Sequence, residues 1–340
     1  RGSAHRPECG CCQGPSDPDR DQKSRPLGQR AICHPIRTES SPRAQLQPPD
    51  SSAAGPRRLL RGPSRGHAPR TSGSGLSTLR GDRRFDSASE QGKYFADLFC
   101  GTGGVGKRWR RRGFVARFFD IIYGEEFDLT QLPTIRRLQA DARAGELLGC
   151  MIAITCRSWS TARNRTNVLR SKTEPWGLSQ PYRPWSEKDP ERLAEGNLQL
   201  TRILPLLRTL VECGIPFAFE NPHSSLVWYT PEIQAIAQHK DASFVVVDQC
   251  AWRRPWRKRT RLLCFGLDSA DVEYLSSFRC LGKQRCTYTG QRHVQLTGSD
   301  PHGVPWTARA QEFPKGLARF LADAIAAPAL LRRGQSITST

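Results

Sequence analysis

Residues Lys93–Gly106 read KYFADLFCGTGGVG, an apolar run of strand length that breaks into glycines and then into a helical pattern. Gly101, Gly103, Gly104 and Gly106 let the backbone turn sharply and approach a ligand with no Cβ in the way. By itself the stretch suits an ordinary strand-to-helix connection as well as a cradle for a nucleotide-like molecule. The downstream sequence decides between them.

Strand and helix patterns alternate from here to the far end of the chain. FVARFFDI (114–121), CMIAIT (150–155), IPFAFE (215–220), SFVVVDQ (243–249) and TRLLCFG (260–266) read as strands. Residues 105–112, 133–144, 191–213, 231–239 and 315–326 read as helices, several opening on proline or closing on glycine. This alternation predicts an α/β fold, a doubly wound, mostly parallel, Rossmann-like sheet covered on both faces. Two stretches interrupt it. Residues 164–190 are rich in Arg, Trp, Pro and Ser and read as a long inserted loop, in which Trp176, Tyr182 and Trp185 serve equally as stacking platforms or as anchors. Residues 267–312 read as a short irregular segment before a closing helix at 313–328.

Composition sets the remaining limits. Residues 1–92 are dominated by Arg, Pro, Ser and Gly without apolar period and are expected to be disordered, as are residues 329–340. The chain opens on Arg rather than Met, as expected of a fragment or an imperfect gene model. Net charge is +20; with 16 basic and 9 acidic residues in 1–90, +13 remains on the part expected to fold. So basic a domain predicts a polyanionic partner, DNA first and RNA as the alternative. The 12 cysteines sit in the tail (Cys9, Cys11, Cys12, Cys33) or in strand-like contexts, as in a reducing compartment, intracellular and nuclear if eukaryotic. There is no secretory leader pattern and no run long enough to span a membrane.

Ligands of doubly wound sheets bind at the carboxyl ends of the strands, so the residues there carry the function. The first strand ends in the glycine turn. The second ends in Asp120, suited to accept hydrogen bonds from ribose hydroxyls, and Asp128-Leu129 shortly after can meet an adenine amino group and face. The third ends in Thr155-Cys156-Arg157-Ser158-Trp159-Ser160 and the fourth in Glu220-Asn221-Pro222. A cysteine and a glutamate at neighbouring strand ends combine a soft nucleophile with a carboxylic acid above one pocket. Arg157, Arg163 and Arg165 lie close enough in sequence to favour a thiolate.

In this order the chain resembles the DNA cytosine-C5 methyltransferases over roughly residues 93–326. Asp97-Leu98-Phe99-Cys100-Gly101-Thr102-Gly103-Gly104 matches the family's D-L-F-x-G-x-G-G. Thr155–Ser160 matches P-C-Q-x-F-S in its cysteine, aromatic and serine, with Thr155 in place of proline and Arg157 in place of glutamine. Glu220-Asn221 matches E-N-V, Arg259-Thr260-Arg261 matches R-x-R, and Phe313-Pro314-Lys315-Gly316-Leu317-Ala318 is similar to the last motif, V-P-x-x-L-A. The resemblance implies S-adenosyl-L-methionine bound by Asp97, Phe99, Gly101, Gly103, Gly104, Asp120, Asp128 and Leu129. It implies a cytosine swung out of the stack, to which Cys156 adds at C6 while Glu220 protonates N3. Asn221 would position the loop, and Arg261, with Arg259 in the same motif, would hold the base carbonyl O2. Two further readings stay open: a catalytically silent nucleic-acid-binding relative, and an enzyme acting on RNA. The [DN]-P-P-[YF] loop of amino-methylating enzymes is absent where Ile154–Arg157 stand.

Between Arg261 and Phe313 about fifty residues replace the family's usual target-recognition domain. Cys280, Cys286, His293 and His302 lie here. Their spacing, C-x5-C-x6-H-x8-H, is no standard finger, and no metal is assigned from it; zinc is the alternative to core thiols and surface histidines. Oligomeric state is left open.

Overall fold

The computed structural model of the chain describes residues 92–162 and 167–331. The tail through residue 91, Arg163, Arg165 and the C-terminal residues 332–340 lie outside the described residues.

Six strands form one sheet: β1 (Tyr94–Leu98), β2 (Ala116–Phe119), β3 (Leu147–Ile152), β4 (Phe217–Pro222), β5 (Ala242–Asp248) and β6 (Arg259–Phe265), in the order β2-β1-β3-β4-β6-β5. The first four are mutually parallel, and β6 runs antiparallel to both β4 and β5. The architecture is the Rossmann-like, mostly parallel α/β fold expected, with one reversed strand that periodicity cannot announce. Its cause lies in the connection: only a 3₁₀ turn (Gln249–Trp252) and a few further residues separate β5 from β6, too few for the crossover a parallel pair needs.

Helices cover both faces. On one side α2 (Leu132–Arg143), α3 (Lys188–Glu212) and α4 (Pro231–Ala237) pack over Tyr94, Leu98, Ile152, Phe217, Phe219 and Leu263. On the other, α1 (Gly106–Arg111), α5 (Ser269–Ser276) and α7 (Lys315–Leu331) pack over Phe95, Met151, Ala218, Leu262 and Cys264. Successive residues of a strand face opposite ways, so each buried strand is apolar on both sides and reads as a continuous hydrophobic run.

Three boundaries differ from the sequence reading. The segment 267–312 is not irregular throughout: Asp268 caps the N-terminus of α5, its side chain accepting from Ala270 N, and the four-residue α6 (Trp306–Arg309) comes later. Helix α3 begins at Lys188, inside the stretch read as loop. Helix α7 continues to Leu331, past the expected end at 328, because its C-terminal Ala326 and Ala329 are still buried against the sheet.

Candidate active site

The carboxyl ends of β1, β3 and β4 open into a cleft of about 680 Å³, lined among others by Asp97, Gly101, Asp120, Cys156, Glu220 and Lys258. That volume is in the range of sites that take a drug-sized or cofactor-sized ligand. The glycine turn forms one wall. Gly103 has a left-handed backbone (φ 68°), and a Cβ there would collide with the Phe118 ring, so β2 packs directly against the turn. Phe99, at φ 52°, holds a conformation rare outside glycine as the chain leaves β1.

Asp97 lies at the floor and caps α1, its Oδ2 accepting from Gly106 N at 2.7 Å. Burial raises its carboxyl to about 7 against the pull of the Gly106 and Val105 amides. Asp120 accepts from Gly101 N at 2.8 Å and from Ile122 N at 3.2 Å, while Tyr123 Oη donates to Gly101 O at 2.6 Å. The acid at the end of β2 and the glycine turn are thus one unit. Asp128 spends its carboxylate on Thr130, with Oδ1 2.8 Å from both the Thr130 amide and hydroxyl, and Leu129 is buried beneath it; both line the cleft. Of the eight residues expected at the cofactor, all line the cleft except Gly103, which supports it from behind.

Cys156 and Glu220 share the cleft. Glu220 is buried, its Oε1 has no hydrogen-bond partner among the described residues, and the nearest cation is Lys258 Nζ at 3.8 Å. Burial raises the Glu220 carboxyl above the ordinary range, and Lys258 opposes this. Burial also raises the Cys156 thiol; Lys258 and Arg157 pull it back toward thiolate, and Glu220 pushes the other way.

Asn221, Arg259 and Arg261 are not in the lining. Asn221 donates from Nδ2 to Ile154 O at 3.2 Å, tying β4 to the loop that bears Cys156. In the β4–β6 register Glu220 pairs with Leu262 and Asn221 with Arg261, so Arg261 faces the side opposite Glu220. Its guanidinium lies 5.2 Å and 5.7 Å from the Phe244 and Trp228 ring centroids. Arg259 is ion-paired with buried Asp248, Nε to Oδ1 at 3.0 Å. The cation that faces the acid is Lys258, one residue before β6. The alternation of side chains along a strand was the signal for it, once the register was known.

The loop 153–162 is held from α3. The Thr155 amide donates to Gln199 Oε1 at 2.9 Å, and Arg157 N approaches Thr155 Oγ1 at 3.4 Å. A proline at 155 would have no amide to offer; here threonine's amide is satisfied by the helix. Deeper in, Arg170 is fully buried. It stacks 3.5 Å from the Trp159 ring centroid and donates to Ser158 O and Oγ, Pro175 O, Asn197 Oδ1 and Leu193 O. Trp176 meets Trp159 edge-on, and Trp185 Nε1 donates to Val168 O, so both anchor the insert; Tyr182 is exposed.

We expect Gln199→Ala to cost about 1–3 kcal/mol, because it strands the part-buried Thr155 amide. Adding Thr155→Pro, which removes that donor, should recover part of the loss in urea unfolding. A double variant less stable than Gln199→Ala alone would show that Thr155 contributes something other than its amide.

No protein-family model matches the chain, and no curated protein matches it. Among solved structures it is similar to an Entamoeba histolytica methyltransferase, EhMeth (13% identity, TM-score 0.33), over 62% of this chain and 64% of that one, a little under two thirds of its length. It is also similar to the S. pombe Dnmt2 methyltransferase (12% identity, TM-score 0.35), over 70% of this chain and 97% of that one. Among the described residues no helix is long and apolar enough to cross a membrane.

Proposed function

We propose that the protein is an S-adenosylmethionine-dependent methyltransferase acting at C5 of a cytosine, in DNA as the first candidate and RNA as the second. The observation that carries this is a cysteine and a buried carboxyl, ion-paired to Lys258 but with no hydrogen bond to its Oε1, in one cleft with a glycine turn. The cofactor suits the near end of that cleft: Asp120 has oxygen lone pairs for ribose hydroxyls, and Leu129 and Phe99 offer apolar surface for a purine. When bound there, it supplies an electrophilic methyl group.

The remaining chemistry belongs to the chain. Burial raises the Glu220 carboxyl, so it keeps its proton further up the pH scale than an exposed carboxyl does and can donate it to N3 of the base, making C6 electron-poor. While Glu220 is neutral it no longer repels a thiolate, and Lys258 and Arg157 are left to favour ionised Cys156. Cys156 then adds to C6; once C5 carries the methyl group, its proton passes to solvent, the N3 proton returns to Glu220, and the thiolate of Cys156 is expelled as the C5–C6 double bond re-forms. Arg157, on the exposed side of the loop, and the strongly basic chain as a whole would engage phosphates.

A silent nucleic-acid-binding relative remains the second reading, supported by the raised pKa of the Cys156 thiol. Incubation with labelled S-adenosylmethionine and either DNA or RNA separates the readings. Label on cytosine in one polymer, abolished by Cys156→Ala, is the expected result. Binding of either polymer with no label in both would favour the silent relative.

A further inference from the structure

Beyond the cleft, Cys250, Cys280, Cys286 and His293 place their ligand atoms within 4.8 Å of one another. We propose that these four residues bind a structural zinc ion that holds the segment after α5 onto the sheet. This set differs from the one spacing suggested. His302 is exposed, its amide donates to Asp300 Oδ1, and it stands apart from the cluster; its place is taken by Cys250, thirty residues upstream of Cys280 in the 3₁₀ turn after β5.

The geometry suits the ion. Zinc–sulfur bonds of about 2.3 Å and zinc–nitrogen bonds of about 2.0 Å put tetrahedral ligand atoms about 3.5–3.8 Å apart. Cys280 Sγ and His293 Nε2 are 3.5 Å apart. The cysteines are free thiols, all buried. Amide and hydroxyl donors already point at the sulfurs: Thr287 N and Oγ1 at Cys280, at 3.4 and 3.5 Å, and Tyr288 N at Cys286, at 3.4 Å. Such donors stabilise sulfur that carries negative charge and fix its orientation. The turn that brings them together needs glycine, since a Cβ on Gly282 would strike the Arg285 carbonyl.

The segment also lacks an apolar core of its own. From Arg279 to Asp300 the only buried residues are Cys280 and Cys286, and with Cys250 they make a core of three cysteines and nothing else. About twenty residues with no helix, no strand longer than an isolated bridge and no apolar core cannot offset their ordering entropy unaided. A metal that binds only the folded arrangement supplies what packing does not, releasing protons from the thiols to solvent as it binds. The ion would also set the far wall of the cleft, because the chain beyond it carries Ala308, Gln311 and Glu312 into the lining, and Lys258 donates to Ala310 O.

The test is metal analysis of the full chain purified without chelator, with cobalt(II) substituted for zinc as a spectroscopic probe. One zinc per chain is expected, together with the visible absorption and thiolate charge transfer of a tetrahedral cobalt site. Cys286→Ser and His293→Ala should lose most of the metal, whereas His302→Ala and Cys213→Ser should retain it. His293→Cys, a ligand of another kind, should keep the metal and shift the cobalt spectrum, even if the other variants prove poorly folded. Chelation should raise hydrogen exchange at 279–300 many-fold while leaving β1–β4 protected. Folded wild-type protein with no zinc and no cobalt spectrum, a disulfide among the three cysteines under reducing conditions, or metal loss with His302→Ala would each overturn the assignment.

Discussion

Replacing Arg170 by alanine is expected to lower stability by about 3–5 kcal/mol, because several buried neutral acceptors lose their donor at once, at about 1–3 kcal/mol for each one left unsatisfied. The side chain serves carbonyls from the loop, from the insert and from α3 at once. Alanine would leave these acceptors dry and unpaired and would remove the stacking on Trp159. Arg170→Lys keeps the charge but not the five-donor fork, so it should recover only a minor part. Denaturant unfolding measures the loss, and hydrogen exchange should place the earliest opening at 156–162 and 167–186. A cost below about 1 kcal/mol would mean that the insert is held by other contacts.

Glu220→Gln is expected to slow methyl transfer by about 10²–10⁴-fold, since an amide cannot deliver a proton to N3. Its pH behaviour is equally diagnostic. Because burial raises this carboxyl, the protonated form persists above the ordinary range, and wild-type turnover should fall as pH rises through the shifted value. The same linkage acts on folding. The stability tied to the protonated form is fully present below the ordinary carboxylate pKa and is lost as pH rises through the raised one. The Gln variant, which cannot ionise, should therefore gain on wild type as pH increases. Rate profiles and unfolding midpoints across that range test both signs. A variant that keeps the falling alkaline limb would remove Glu220 from the proton-transfer role. Lys258→Met should push the carboxyl higher still, since Lys258 is what pulls it down.

The strand-turn-helix around Lys93–Gly106 was legible because glycine, strand length and helix onset are all local signals, and so was the alternation that makes the sheet. The placement of Cys156 and Glu220 at neighbouring strand ends came from that order alone. What escaped depends on contacts between distant residues. The direction of β6 is set by a short connection, and which of Lys258, Arg259 and Arg261 faces the acid is set by register, not by motif. Arg170 in sequence is one arginine among many in a polar insert; only packing distinguishes it. Cys250 looked like a strand-end thiol, since nothing local ties it to a segment thirty residues on.

Helix α3 touches the cysteine loop and the insert at Leu193, Glu195, Asn197 and Gln199, through a carbonyl, an ion pair with Arg157 and two side-chain amides. A loop gripped in this way need not encode its own shape. The instruction is written on two turns of a helix forty residues away, so the place of the cysteine answers to side chains far from it in the chain.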